Sequence, residues 1–354
     1  MGSEMCIRDS TGRDLKMAKQ KGFFDEDFRL EKISRQGDPL LRLKDLINWE
    51  MFRPVLFEAF MKEAKGPGGR PPFDTVMMFK ILVLQRLYNL SDAQTQYQIL
   101  DRLSFMRFLG LQINDTVPDE KTIWYFREKL REKGVIESLF DRFYLFLTDK
   151  GLVAQNGTMV DASIVEAPKQ RNGREENEQI KEGKTPDGWS ENTMRQKDID
   201  ARWVTKGGVR HYGYKNHIKA DVKTKLIKRY HVTDAAVHDS QGIEDLLDES
   251  DARQKLYGDS AYSGEKIRVI LEEKSIRNCI HEKGYRNRPL TKKQKEKNKR
   301  KSKIRARIEH IFGFMHTSMK GSFLRTIGIH RARAIIGLMN LTYNLSRYIQ
   351  LQRA

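Results

Sequence analysis

Between positions 38 and 148, apolar residues recur at the three- and four-residue spacing of helices that pack on one face. Asp74 precedes one such run, and its carboxylate is suited to cap the start of that helix. Ser91 and Gln94 form a capping-box pattern at the start of the next helix, and a further helical stretch covers residues 120–130. The pattern predicts a helical domain over residues 38–148.

Two helices of this domain, separated by a short break, resemble a helix-turn-helix, in which the second helix enters the major groove of DNA. The side chains that would face the groove are Lys121, Thr122, Tyr125 and Arg127. The alternative is an ordinary helical bundle, in which Trp124 and Phe126 belong to the core. In the context given below, we favour DNA contact by Lys121 and Arg127.

After residue 149 the pattern changes to short runs of β-forming residues. The predicted strands are Thr158–Glu166, a hairpin within His217–Thr233 that turns near Lys223–Lys225, Lys255–Asp259 and Arg277–Glu282. Helical spacing returns in Ser263–Lys274, in Ile304–Met315 and in residues 331–349. This order of strands and helices predicts a mixed α/β domain over residues 149–350.

Two segments lack a regular apolar pattern. Residues 167–212, between the first strand and the hairpin, are polar and are predicted to be an insertion or mobile loop. Residues 1–37 are predicted to be a flexible or loosely helical lead-in. Within it, residues 1–10 contain no apolar signal-peptide core and match nothing that follows, so we interpret them as an extension foreign to the fold.

The composition adds a strong positive charge to this picture. The 354 residues include 66 Lys and Arg against 48 Asp and Glu, which gives a formal net charge of +18, and 38% are hydrophobic. The hydrophobic content is sufficient for a core. The positive charge favours a polyanionic partner, because each Lys or Arg placed near a phosphate releases condensed counterions. We therefore expect nucleic acid as the partner.

Several other classes of protein are disfavoured. Two cysteines, Cys6 and Cys279, cannot form a disulfide framework or a zinc cluster, which fits a reducing, intracellular setting. No stretch approaches the ~20 apolar residues of a membrane span. The glycine-rich loop that binds nucleotide phosphates is absent from the sequence, so we do not expect ATP use.

Three carboxylates are candidates for phosphoryl-transfer chemistry. That chemistry uses two metal ions about 4 Å apart, held by carboxylates from separate elements that converge on one point. Asp161 lies inside an apolar strand, where a carboxylate is costly unless it is paired or bound to a metal; the alternative is an edge position facing solvent. Asp259 follows a short strand at a Gly/Ser turn, where α/β folds place ligands, although it can also cap the next helix. Glu309, on a predicted helix four residues after Arg305, would by itself be read as part of a surface ion pair.

At these residues the chain resembles bacterial insertion-sequence transposases of the insertion-sequence-five group, which carry a DDE catalytic triad on a ribonuclease H-like fold. The similarity covers nearly all of residues 38–349. It is carried by the segments Gly-Arg-Pro-Pro-Phe-Asp (69–74), Asp-Ala-Ser-Ile-Val-Glu-Ala-Pro-Lys-Gln-Arg-Asn (161–172), Tyr-Gly-Tyr-Lys-Asn-His (212–217), Val-Thr-Asp-Ala-Ala-Val-His-Asp-Ser (232–240), Gly-Asp-Ser-Ala-Tyr (258–262) and Arg-Ala-Arg-Ile-Glu-His-Ile-Phe-Gly (305–313).

The resemblance implies that Asp161, Asp259 and Glu309 are the catalytic, metal-binding triad, with two Mg²⁺ or Mn²⁺ ions as cofactors. It also implies a fixed set of residues along the last helix, of which Arg305 and Glu309 match. Ser302 stands where the family has Tyr, and His316 stands where it has Lys. These departures leave the metal ligands untouched.

Further residues are predicted to contact DNA. Lys215 and His217 lie near the start of the hairpin, where they would meet the scissile phosphate or form a solvated strand face. The nearly continuous basic run 292–303 precedes the Glu309 helix, and we expect it to follow the phosphate backbone. The DNA contacts predicted from this region are Lys299, Arg300, Lys301 and Arg305. Trp189 and Trp203 in the insertion would stack on unpaired bases or anchor the loop.

The expected function is that of an insertion-sequence transposase with a helical domain that recognises the element ends and a ribonuclease H-like domain that cuts and joins DNA. The alternatives are a ribonuclease H-like nuclease without strand transfer and a catalytically silent, DNA-binding transposase remnant. The expected partners are double-stranded DNA, namely the terminal inverted repeats and the target, and further copies of the chain in a dimer or larger complex. The expected location is the cytoplasm, at the bacterial nucleoid.

Overall fold

The computed structural model of the protein describes residues 25–60, 71–154 and 156–352 in full. It also describes the backbone of two paired strands, β1 (Ile7–Arg8) and β2 (Asp14–Leu15). The remainder of residues 1–24 lies outside the described residues, and so does the expectation that residues 1–10 are foreign to the fold. Within the predicted lead-in, residues 25–35 form a regular helix.

The N-terminal part of the protein is helical, as predicted. Its helices are α1 (Asp25–Arg35), α2 (Pro39–Leu46), α3 (Arg53–Phe60), α4 (Thr75–Leu87), α5 (Asp92–Asp101), α6 (Leu103–Leu109), α7 (Glu120–Glu132) and α8 (Val135–Asp149), with a 3₁₀ turn at Trp49–Phe52.

The predicted capping residues begin their helices. The Asp74 carboxylate accepts a hydrogen bond from the backbone N–H of Met77 at 2.8 Å and so caps α4. At α5, the Ser91 hydroxyl accepts from the N–H of Gln94 at 3.2 Å, and the Gln94 side chain accepts from the N–H of Ser91 at 3.1 Å. These bonds satisfy donors that have no partner inside a helix, so short local signals suffice to fix the helix starts.

The C-terminal part combines strands and helices. Its strands are β3 (Thr158–Glu166), β4 (Arg202–Lys206), β5 (Val209–Asp221), β6 (Ile227–Asp234), β7 (Lys255–Tyr257) and β8 (Arg277–Asn278). Its helices are α9 (Arg174–Lys181), α10 (Glu191–Gln196), α11 (Ile243–Leu246), α12 (Glu265–Glu273), α13 (Lys292–Arg305), α14 (Arg307–Gly313) and α15 (Ile329–Leu351), and a π-helical turn covers Phe314–Ser318.

The six strands β3–β8 form one mixed sheet. β5 lies between β3 and β6 and is antiparallel to both, while β7 and β8 continue the sheet on the other side of β3, parallel to it. β3, β5 and β6 thus form an antiparallel set, with β4 inserted between β3 and β5 in the chain, and β7 and β8 are reached by helical crossovers. This is a mixed α/β fold, as the sequence predicts.

Much of the polar segment 167–212 has regular structure, which favours the insertion alternative over a mobile loop. It contains α9 and α10, and its end enters the sheet, because β4 pairs antiparallel with residues 209–213 of β5. Asp198, which is buried, anchors the segment: its carboxylate accepts hydrogen bonds from the Tyr214 hydroxyl at 2.7 Å and from the Gly328 N–H at 3.2 Å. The long-range partners of Asp198 are invisible to local pattern.

The two tryptophans of the segment are both packed against protein. Trp189 donates a hydrogen bond from its indole N–H to Glu176 at 2.7 Å, and the Lys197 ammonium lies over its ring at 5.5 Å from the centroid. Trp203 packs on Tyr212 with ring centroids 5.1 Å apart, and 44% of it stays exposed. Of the two predicted roles, the structure shows anchoring for Trp189, while Trp203 keeps an exposed face.

Helix α15 joins the two parts of the protein. It packs against α4 and α8 on one side and against β5 and β6 on the other, and it is buried along nearly its whole length. One continuous cluster of buried apolar residues therefore extends from α2 to the C-terminal end of α15, whereas a second, smaller cluster covers the opposite face of the sheet around α12.

Candidate active site

Asp161 lies in the middle of β3, opposite Ile218 of β5. Residues opposite each other in an antiparallel pair point to the same face, and neighbours along a strand point to opposite faces. Asp161 is therefore on the face that α14 covers. Its side chain is 15% exposed, and burial is the main cause that raises the pKa of its carboxyl group to about 6.

Asp259 directly follows Gly258 at the end of β7 and begins a 3₁₀ turn over Ser260–Tyr262. Its carboxylate accepts a hydrogen bond from the Ala261 N–H at 2.8 Å, so it acts as a cap. Its negative charge is also close enough to Asp161 to contribute to the raised pKa of that carboxyl group. The structure thus brings Asp259 and Asp161 together at the carboxyl end of one strand and the centre of its neighbour.

Glu309 lies in the first turn of α14, whose other flank packs on β3 through the buried Ile308 and Ile311. Arg305 joins it to the strand: one guanidinium nitrogen is 2.7 Å from Glu309 Oε1 and the other is 3.1 Å from Asp161 Oδ2. The i,i+4 pair that the sequence indicates is present, and it is extended to Asp161. Asp161 and Glu309 are therefore joined through Arg305, and Asp259 lies near Asp161 at the end of the neighbouring strand.

The donor set fits divalent ions, although the observed arrangement is closed by Arg305. Within the described residues, no three Asp, Glu, His or Cys side chains already surround one point as a bound metal ion requires. Instead, the Arg305 guanidinium is the cation between Asp161 and Glu309. Carboxylate oxygens are the ligands that Mg²⁺ prefers, and Glu309, 60% exposed, is free to change rotamer.

His281 lies at this site and was not predicted there. It follows β8, its backbone N–H donates to the carbonyl of Gly258 at 3.1 Å, and its ring nitrogen is 3.3 Å from the hydroxyl of Ser302. Burial, and then the charges of Arg305 and Lys301, lower its pKa. The sequence offered one signal for this position of His281. His281 lies at the end of one predicted strand and Asp259 at the end of another, and the carboxyl ends of parallel strands meet at one edge of a sheet.

Ser302 and His316, the departures from the family pattern, both lie near the carboxylates. Ser302 contacts His281, as described. His316 stands in the π-helical turn after α14, and its Nε2 is 2.9 Å from the hydroxyl of Ser163, which shares the face of Asp161. Burial and the charge of Lys206 lower the pKa of His316. His316 is thus held beside the strand by Ser163.

Lys215 and His217 do not reach this site. In the register of β3 and β5 they stand opposite Ile164 and Ala162, which places both on the face that Asp161 does not share. Both are buried: the Lys215 ammonium is 2.8 Å from Asp239 and 2.6 Å from a backbone carbonyl, and His217 Nε2 is 2.9 Å from the Thr233 hydroxyl. Both side chains are thus internal and held by protein partners, so this arrangement gives no support to the predicted contact of Lys215 and His217 with DNA.

The predicted recognition helix α7 presents only part of its expected face. Lys121, Trp124 and Tyr125 are exposed, Thr122 is half-buried, and Phe126 is buried. Arg127 turns inward, with its guanidinium 2.6 Å from Asp92 and its side chain 12% exposed. Arg127 is therefore not free to enter a major groove, and Trp124, which the helical-bundle alternative placed in the core, lies at the surface.

The basic run forms α13, a helix with no buried residue that leads directly into α14. Lys299 and Arg300 are exposed. Lys301 donates a hydrogen bond to the carbonyl of Ile280 at 2.7 Å and is half-buried. Most of α13 is therefore a charged surface helix, and its last residue, Arg305, contacts the carboxylate of Asp161.

No helix in the described part of the chain has the length and apolar character needed to cross a membrane.

The chain matches two protein families over most of its length. Residues 28–129 match the family described as "Transposase domain (DUF772)", and residues 154–345 match the family described as "Transposase DDE domain". Among solved structures, it is similar to a piggyBac transposase in a synaptic complex with hairpin DNA, determined by cryo-EM. That similarity has 12% sequence identity, a TM-score of 0.44 and coverage of 89% of this chain and 75% of that chain. Because the DDE match alone covers more than half of the chain, the protein belongs to the transposase DDE family, in a domain combination consistent with the insertion-sequence-five type.

Proposed function

We propose that Asp161, Asp259 and Glu309 hold two Mg²⁺ or Mn²⁺ ions and that the protein cuts DNA at the ends of an insertion sequence and joins them to a target. The observation that carries the proposal is that one guanidinium, that of Arg305, is bonded to both Asp161 and Glu309, while the charge of Asp259 acts on Asp161. When bound, the ions would activate the attacking oxygen and stabilise the leaving oxygen.

The residues of the chain supply the positions for this chemistry. β3 fixes the backbone of Asp161 through its pairing with Ile218 of β5, whereas Glu309 sits on the exposed flank of α14 and can adjust. Arg305 keeps the carboxylates together before substrate arrives, and once it is released its guanidinium can bind a phosphate oxygen. His281, beside Asp259, is placed to orient the same phosphate.

Two phosphoryl transfers follow in this scheme. In the first, the oxygen of a water molecule attacks a phosphodiester, its proton is lost, and the strand is released with a 3′-hydroxyl and a 5′-phosphate. In the second, that 3′-hydroxyl attacks a phosphodiester of the target, which joins the two strands and frees a new 3′-hydroxyl. No nucleotide is consumed. In the first step the phosphorus exchanges its bond to a sugar oxygen for a bond to the oxygen of water, and in the second the phosphorus of the target exchanges one sugar oxygen for another.

DNA binding in this proposal uses two exposed basic surfaces. Lys121 on α7 lies on the side that would meet an element end, and Lys299 and Arg300 on α13 lie on a helix that leads to the carboxylates. Lys301 and Arg305 would contact DNA only after leaving their present partners. Since two element ends must be handled together, we propose a dimer or larger assembly on the DNA, at the nucleoid in the cytoplasm.

The decisive experiment incubates the purified protein with a duplex that carries one element end, a target duplex and Mg²⁺ or Mn²⁺, followed by strand-resolved gels. We expect Asp161→Asn, Asp259→Asn and Glu309→Gln each to lose cleavage and joining by more than about 100-fold, the upper range for loss of an outer-shell partner. Binding to the end is expected to persist.

The matched control is Asp245→Asn, which removes a half-exposed carboxylate on α11, on the other face of the sheet. It should retain activity. Strand joining by the Asp161→Asn protein at the wild-type rate would overturn the triad. Cleavage without any joined product would favour a nuclease that does not transfer strands.

A further inference from the structure

A cavity of about 350 Å³ lies between the helical part and the DDE domain, away from the three carboxylates. Its walls come from the end of α4, the start of α5, α7, the loop before α15 and the first turns of α15. Four arginines line it, one from each of four segments: Arg86, Arg127, Arg325 and Arg331. Only two carboxylates, Asp92 and Glu128, are among the residues that line it.

Two of the four guanidinium groups are neutralised within the cavity. Arg127 forms a two-pronged pair with Asp92, at 2.6 and 2.9 Å, and Arg331 donates to Glu128 at 3.0 Å. Arg325 donates instead to the carbonyl and the side-chain oxygen of Asn89, at 3.0 and 2.8 Å. Among the described residues, Arg325 and Arg86 have no carboxylate partner, so the cavity keeps an excess of about two positive charges.

Arg86 is the more unusual of these two residues. Its Nε is shielded from solvent and has no hydrogen-bond partner in the described part of the chain. The one hydrogen bond recorded there for the guanidinium group is a long one, from a terminal nitrogen to the carbonyl of Leu90 at 3.4 Å. Burial, and then the charges of Arg127 and Arg325, lower the pKa of this guanidinium to about 9. A shielded charge without a partner is unfavourable, and an anion in the cavity would compensate it.

The cavity is connected to the catalytic strand. The loop that carries Arg325 is hydrogen-bonded to the end of β3, because the Glu166 N–H donates to the carbonyl of Ser322 and the Leu324 N–H donates to the carbonyl of Glu166, each at 2.8 Å. Glu166 is five residues from Asp161 along the strand, roughly 16 Å. The loop that lines the cavity is therefore anchored at a distance from Asp161 that corresponds to about five base-pair steps.

We propose that this arginine-lined cavity is a phosphate-binding subsite that receives a backbone phosphate of the DNA on which the DDE domain acts. The assignment rests on the proposed function. Arg86 and Arg325 would bind the phosphate oxygens, and Trp124, exposed at the rim on α7, would lie against the adjoining sugar. The subsite would couple the DNA-contacting helix to the catalytic domain, because its walls belong to both.

The test measures DNA affinity as a function of salt concentration in EDTA, where cleavage does not interfere. For Arg86→Gln we expect an affinity loss of roughly tenfold. The slope of log affinity against log salt should fall by about 0.9, the value for one phosphate contact. A labelled duplex with an element end and a labelled duplex of unrelated sequence should lose affinity equally, because phosphate contacts carry no sequence information. The melting temperature without DNA should not decrease, since an unpaired shielded charge has been removed.

Arg347→Gln is the matched control, because it removes the same charge from the far end of α15, where the guanidinium donates to the carbonyl of Thr224 at 2.7 Å. It should retain the wild-type salt slope. Arg325→Gln supplies a second test at an exposed position, with the same expected loss, should Arg86→Gln fail to fold.

Three outcomes overturn the inference. The first is a wild-type slope and affinity in both Arg86→Gln and Arg325→Gln. The second is stabilisation of the wild-type protein by inorganic phosphate with no change in the DNA slope of the variants, which would indicate a free-anion site. The third is a wild-type protein that binds neither duplex, which would also overturn the proposed function. The first two outcomes leave the proposed function unaffected.

Discussion

At the residue scale, the surroundings of Asp161 disfavour the charged form of its carboxyl group, which is the form that would bind a metal ion. Its strand holds it mostly buried, near the negative charge of Asp259, and Arg305 compensates only in part. The net result is a pKa raised to about 6. A bound divalent cation would relieve this penalty, which is the usual reason for a carboxylate in such a position.

The raised pKa predicts the pH dependence of stability. Because the folded state holds this proton more tightly than the unfolded chain, the stability linked to Asp161 is fully present below about pH 4 and is lost as the pH rises through about 6. In EDTA, Asp161→Asn should therefore be more stable than the wild type near pH 7, by on the order of 2 to 3 kcal/mol, and the difference should vanish near pH 4.

Urea unfolding of both proteins across this pH range measures the difference in free energy of unfolding. His217, whose pKa burial lowers to about 4, also titrates in acid, but it is present in both proteins and cancels in the comparison. A difference that does not change with pH would show that the charge of Asp161 is already compensated in the folded state.

At the element scale, α15 is the helix on which the two parts of the protein depend. Two of its polar residues are fully buried and tie it to the sheet. Asn340 and Asn216 exchange amide hydrogen bonds of 2.8 and 3.0 Å, and Asn344 accepts from and donates to the backbone of Ile227 at 2.9 and 2.8 Å. Apolar burial alone would allow α15 to slide or rotate, whereas these bonds select one register.

Asn340→Ala should lower the free energy of unfolding by about 2 to 3 kcal/mol, because it leaves the buried amide of Asn216 without a partner. The double variant Asn216→Ala, Asn340→Ala should cost less than the sum of the two single changes. Gln350→Ala, at an exposed position of the same helix, should stay within about 0.5 kcal/mol of the wild type. Strict additivity of the two Asn changes, measured by urea unfolding, would argue against the paired arrangement.

At the scale of the whole molecule, the helical part and the DDE domain share one core. The main buried cluster is continuous across both, and α15 contributes residues to each side. Polar contacts reinforce the junction: the Asn89 side chain donates to the carbonyl of Lys320 at 2.7 Å, and Arg331 pairs with Glu128. The predicted division near residue 149 therefore separates a helical part from a part with strands and helices, but the two parts share one hydrophobic core.

We expect the protein to unfold in a single cooperative transition. A variant that keeps Trp49 as its only tryptophan reports on the helical part, and one that keeps only Trp203 reports on the segment beside the sheet, the other tryptophans being replaced with Phe. Their fluorescence midpoints in urea should coincide with each other and with that of the helical circular dichroism. Two separated transitions would show that the parts are stable on their own.

Local signals in the sequence are sufficient to predict several elements of the fold. The bounds of β3, the caps Asp74 and Ser91, and the order of strands and helices all follow from residues within a few positions of each other. The position of Asp161 inside an apolar strand followed in the same way. The assignment of all three carboxylates as metal ligands stays a prediction, and that of Glu309 depends on the family resemblance.

The tertiary structure alone decided which side chains meet. Side chains along a strand alternate between faces, so the separation of Lys215 and His217 from Asp161 depends on the register of β5 against β3. That register is set by pairing between segments about fifty residues apart, with α15 packed over them. The pair between Arg127 and Asp92 and the pair between Arg305 and Asp161 also depend on contacts between segments that are distant in the sequence. Local pattern identifies the charged residues, but only packing between distant segments determines whether a charge faces solvent, a partner or a substrate.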